Sequence, residues 1–132
     1  MNKFQKQEAF TIKVPAHEQW QLAIRMGLSA AGALLGLSID QVDDLRMVAD
    51  EACDCLRYQG KKAETIKVCC YQKDAFVHVV FTATHEQETQ NVAESNIEMV
   101  QAILETLTVE THLRQDQRGI WEIEIVLPLD IC

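Results

Sequence analysis

Residues Ser38–Gly60, SIDQVDDLRMVADEACDCLRYQG, contain a start signal, an unbroken helical pattern and a stop signal. Ser38 precedes Gln41 by three residues, the spacing at which a serine hydroxyl accepts the Gln41 N–H while the glutamine side chain reaches back to the Ser38 N–H. Gly60 supplies the left-handed conformation that closes a helix, and Lys61 and Lys62 beyond it suit the negative end of the helix dipole. Between these ends Val42, Leu45, Ala49, Ala52 and Leu56 recur at intervals of three and four, a single stripe directed at a core. At about 100° per residue, Asp43, Asp50, Asp54 and Arg57 fall on the far side, where charges stay solvated. Asp44, Met47, Glu51, Cys55 and Tyr58 share one flank. A carboxylate on that flank either borders an acidic amphipathic helix or looks into a cleft at the edge of the core, and Glu51 is the best placed for the second role.

Two-residue periodicity takes over after Gly60. Thr65–Gln72 and Ala75–Ala83 read as strands joined at Lys73-Asp74. The second is apolar on both faces and should lie centrally in a sheet, with His78 a satisfied core residue. Before the capped helix, Phe10–Pro15 alternates as a half-buried strand, and residues 17–36 carry Trp20, Ala23, Ile24, Gly27, Leu28, Ala31, Leu34 and Leu35 at helical spacing, an amphipathic helix that packs closely. Gly27 and Ala30–Ala33 are small enough for a core, another helix or a second subunit to approach. Downstream, residues 92–106 are helical in pattern, and Leu107–Leu113 alternates. Ile120–Leu129 points Trp121, Ile123, Ile125, Leu127 and Leu129 inward. The expected fold is a two-layer α+β sandwich: a mixed, mainly antiparallel five-stranded sheet with three helices on one face.

With 132 residues, 48% hydrophobic and 24% charged, the chain reads as one soluble domain able to bury its own core. Twenty acidic against 12 basic residues give a net charge of −8 and argue against a nucleic-acid ligand. No stretch has the apolar length of a membrane span or a secretion signal, so a cytoplasmic location is expected. Five cysteines without a Cys-x-x-Cys pair fit reduced thiols, and the four histidines show no metal-ligand spacing. There is no Walker loop and no nucleophile elbow.

Residues 44–59, DLRMVADEACDCLRYQ, resemble the N-box helix of the anti-sigma-factor serine kinases, small members of the histidine-kinase-like ATPase superfamily. Leu45, Val48, Glu51, Ala52 and Cys53 match that pattern in place, and the order of elements over about residues 8–130 agrees. The resemblance implies that Glu51 is the base or water-orienting group in phosphoryl transfer. Asp54, however, replaces the usual Thr, Cys55 the Mg²⁺-holding Asn, and Leu56 a small Ala. The family's Asp-x-Gly-x-Gly adenine segment is also missing: Phe81–Glu86 has neither Asp nor Gly, which leaves Thr82 or a neighbour at the adenine-reading position. Before the third helix, where a glycine-rich turn would cradle phosphates, the chain reads Ala93–Glu98 with two glutamates.

From this follow a degenerate nucleotide pocket at Glu51, Cys55 and Thr82, no metal ligand, and a contact regulator with nucleotide binding weakened or lost. The partner implied by the resemblance is a sigma factor or a STAS-domain anti-sigma antagonist. A homodimer through a sheet edge or the first helix is implied as well. The other reading is an active serine/threonine kinase using ATP and Mg²⁺, with Glu51 orienting the acceptor hydroxyl. A third is a different small molecule in the vacated cleft beside Cys55 and Tyr58.

Overall fold

In the computed structural model the described residues are 7–57, 63–84, 110–116 and 119–129. Strand β1 (Gln7–Pro15) leads through a 3-10 turn, Glu18–Trp20, into α1 (Gln21–Leu35) and α2 (Ile39–Arg57). Strands β2 (Thr65–Lys73), β3 (Phe76–Thr84), β4 (Glu110–Asp116) and β5 (Gly119–Pro128) complete the sheet, in the order β1-β2-β3-β5-β4. The α+β class, the five strands and the central place of β3 are as expected. The expected third helix, residues 92–106, lies outside the described residues.

The sheet is not mixed, as expected from the sequence, but antiparallel at every registered pairing. β4 runs in the same direction as β3, yet β5 folds back between them, so the two never share a ladder. The β2–β3 turn lies one residue later than the sequence suggests, at Asp74-Ala75, and Asp74 takes φ 55°. Aspartate is one of the few side chains that tolerate this conformation, which is how a tight hairpin forms here without glycine.

Alternation along β3 separates the two faces of the sheet. Val77, Val79, Phe81 and Ala83 are buried under the helices, whereas Phe76, His78, Val80, Thr82 and Thr84 face the other way. Ile24, Leu28, Leu45, Val48, Leu56, Ile66, Val68, Ile123 and Ile125 close the core between the layers. One inward assignment fails: Ile120, not Trp121, enters that core. Arg114 pairs with Glu122 and Gln115 with Ile120, so Trp121 is the extra residue of a bulge and is turned out.

Both helix ends joining α1 to α2 are closed by local hydrogen bonds. Gly36, at φ 103°, donates to the Ala33 carbonyl, and Leu37 donates to Gly32 O at 3.0 Å, a Schellman pair. Leu37 Cδ1 and Leu45 Cδ2 lie 3.1 and 3.2 Å from where a Gly32 Cβ would stand, so only glycine fits there without movement. The Ser38–Gln41 capping box is present: Gln41 N–H donates to Ser38 Oγ at 3.1 Å, and Ser38 N–H to Gln41 Oε1 at 2.9 Å. The Gln41 amide also donates to the Pro128 carbonyl, pinning the start of α2 to the end of β5. The expected stop at Gly60 lies outside the described residues.

Candidate functional site

The position of α2 decides where Glu51 looks. Its buried row, Leu45, Val48, Ala49, Ala52 and Leu56, lies against β3 and β5, and α1 lies along one side. Asp50 and Arg57 mark that side through contacts to Gln21 and Arg25 of α1. Glu51 and Cys55 are turned more than about 90° from that pair at helical spacing, on the flank away from α1. Glu51 is half-buried, and Cys55, one turn on, is buried. Burial pushes the Cys55 thiol up to about 11, and the Glu51 carboxylate adds to that rise. Cys55 is therefore a protonated thiol at neutral pH, a poor ligand for a hard cation such as Mg²⁺.

Thr82 does not join them. It lies on β3 between Lys67 of β2 and Glu122 of β5, on the face opposite the helices, while its neighbours Phe81 and Ala83 face α2's side. Of the three sequence-derived pocket residues, the fold thus places Glu51 and Cys55 side by side and Thr82 on the far side of the sheet. Residues 85 and 86 and the stretch 93–98, where adenine- and phosphate-binding segments were sought, lie outside the described residues. Among the described residues no group of three or more His, Cys, Asp or Glu side chains could hold a metal ion.

Two clusters escaped the sequence reading. The first corrects the placement of Arg57, expected in solvent but 8% exposed. Its guanidinium donates to Gln21 Oε1 and, at 2.6 Å, to Asp54 Oδ1. Gln21 Nε2 in turn donates to Asp50 Oδ1 at 3.2 Å, and Arg25 Nε lies 3.4 Å from the same oxygen. Spacing put Arg57 on the polar side of α2, but α1 covers that side at its C-terminal end. The alternation of Asp50, Asp54 and Arg57 on one face, next to a helix that begins with Gln21, was the available signal. The cluster clamps the two helices together.

The second cluster corrects His78, expected in the core. It stands on the outer sheet face, stacked on Tyr71 with ring centroids 4.9 Å apart and planes 3° from parallel. Its Nδ1 lies 3.1 Å from Glu124 Oε2 on β5. The hairpin register sets Tyr71 opposite His78, and the sequence gives that register once the turn is placed at Asp74-Ala75. No family model matches the chain, and no curated protein matches it significantly.

Proposed function

We propose that this chain is a regulatory protein-binding module: a degenerate relative of the anti-sigma-factor serine kinases that acts in the cytoplasm by contact with a sigma factor or a STAS-domain anti-sigma antagonist. The reading rests on the resemblance of residues 44–59 to an N-box helix and on the order of elements around it. One observation carries the regulatory rather than the catalytic version. On the flank of α2, half-buried Glu51 has as its neighbour a buried, protonated Cys55, where the family's metal-holding amide would stand. Thr82, the remaining adenine-side acceptor, faces the opposite surface of the sheet. Among the described residues, a protonated thiol one turn from the Glu51 carboxylate and a Thr82 on the opposite face of the sheet support nucleotide binding that is weakened or lost, with the scaffold retained for contact.

The test is capture of a sigma factor or STAS protein in a pull-down with the wild-type chain and with Glu51→Ala. Capture by both, with the same circular dichroism spectrum, is the expected outcome. Mg²⁺-dependent phosphate transfer to the STAS protein that disappears in Glu51→Ala would instead select the serine/threonine kinase reading.

A further inference from the structure

Among the described residues every arginine is held in an ion pair: Arg25 with Asp50, Arg46 with Asp43, Arg57 with Asp54 and Arg114 with Glu122. The described lysines, Lys13, Lys67 and Lys73, are in none. All three are exposed and stand on β1 and β2, on the sheet face opposite the helices. Lys13 and Lys67 are directly opposed in the antiparallel register, which sets their Cβ atoms about 5 Å apart. One row crosses the whole sheet at this level: Lys13, Lys67, Thr82, Glu122 and Arg114. Its far end is closed, with Arg114 Nε 2.8 Å from Glu122 Oε2, whereas its near end presents two facing like charges. The other carboxylates on this face, Glu124 and Glu110, are bonded to His78 and His112. Lys73 stands six residues from Lys67 on the same face of β2, about 20 Å along the strand, and opposite Phe76, which is 40% exposed. Asp74, beside Lys73 in the turn, makes no ion pair with it, and half-buried Cys69 and Val80 lie between the two basic ends.

We infer that the β1–β2 half of the outer sheet face is a docking surface for an acidic segment of a protein partner. Carboxylates of that segment sit on the lysines at the two ends, and its apolar side chains lie against Val80 and Phe76 between them. Like charges directly opposite one another weaken a sheet, and a carboxylate laid between Lys13 and Lys67 replaces their repulsion with two charge-assisted hydrogen bonds. The sign of the occupant follows from where the unpaired charge is: cations without a counter-ion are gathered on one half of one face of a chain whose net charge is −8. That same net charge disfavours a dense polyanion such as nucleic acid, which the rest of the molecule repels. A segment with a few carboxylates among apolar residues is held by the local lysines, and it alone gains from the exposed ring of Phe76 beside Lys73. The inference stands on the placement of these charges and does not depend on nucleotide chemistry or on the regulatory reading.

Fluorescence anisotropy with the full chain tests it. The probes are a labelled peptide of glutamates with a leucine at every third position, its counterpart with glutamine for glutamate, and a labelled single-stranded oligonucleotide. The acidic peptide should bind, more weakly as salt is added, and the other two should not. Lys13→Glu and Lys67→Glu should each weaken that binding at least about tenfold. Arg46→Glu, on the helical layer, changes the net charge by the same amount and should leave the affinity at the wild-type value. Lys67→Glu also sets an opposite charge against Lys13, so its melting temperature should be no lower than that of the wild type, which separates lost binding from lost folding. A wild type that does not bind the acidic peptide would overturn the inference. So would equal weakening by Arg46→Glu and Lys67→Glu, a glutamine peptide bound as tightly as the acidic one, or an oligonucleotide bound more tightly than either.

Discussion

Three buried thiols, Cys53, Cys55 and Cys70, are pushed up from 9.0 to about 12, about 11 and about 11, burial being the largest cause in each. At neutral pH they are protonated in the folded and unfolded chain alike and contribute no pH dependence. Above about pH 9 the unfolded chain releases these protons first, so stability falls as pH rises toward 11–12. Urea midpoints at pH 8 and pH 10.5 should show that fall, and Cys55→Ala should make it shallower. An unchanged slope in the variant would mean that the Cys55 environment is wetter than described. Arg57 gives a second prediction at this scale. Arg57→Met removes the guanidinium nitrogen, Nη2, that donates to both Gln21 and Asp54, and should cost about 1–3 kcal/mol by urea denaturation. The flank position of Glu51 was legible because helical spacing alone fixes it. Arg57 was not, because a helical projection says which side a residue takes and nothing about what lies against that side.

Local signals were read most accurately where the chemistry is contained in a few residues. The Ser38–Gln41 box formed as its spacing dictates, and Gly36 closes α1 with a positive φ. Ser38→Ala should lower stability by about 1 kcal/mol, the usual worth of an N-cap. Gln41→Ala should cost more, since it also removes the bond to the Pro128 carbonyl that joins α2 to β5. Thermal melts of the two variants and of the double variant check this ranking, and equal losses would show that the link to β5 contributes nothing. Gly36→Ala, at φ 103°, should lose about 1–2 kcal/mol in the same assay. Strand ends were less legible. The inward place given to Trp121 fails because a bulge inserts one residue opposite Arg114-Gln115, and alternation along a single strand cannot reveal a partner's register.

For the molecule as a whole, element order and hydrophobic alternation in the sequence already specify an α+β sandwich with β3 at its centre. They do not specify direction: whether β4 pairs with β3 or lies beyond β5 depends on long-range packing, and the sheet is antiparallel throughout its registered pairs. The candidate site was legible in part for the same reason. Glu51 and Cys55 are one helical turn apart and necessarily adjacent, whereas Thr82 is fixed by the parity of a strand, which turns it to the opposite face. On the proposed reading, Glu51 is retained from a nucleotide site that no longer binds its ligand. Isothermal titration of the full chain with ATP and ADP, with and without Mg²⁺, measures this most directly. The expected result is no saturable heat at millimolar nucleotide. Binding in the micromolar range that requires Mg²⁺ and weakens in Glu51→Ala would contradict it and establish an occupied nucleotide site.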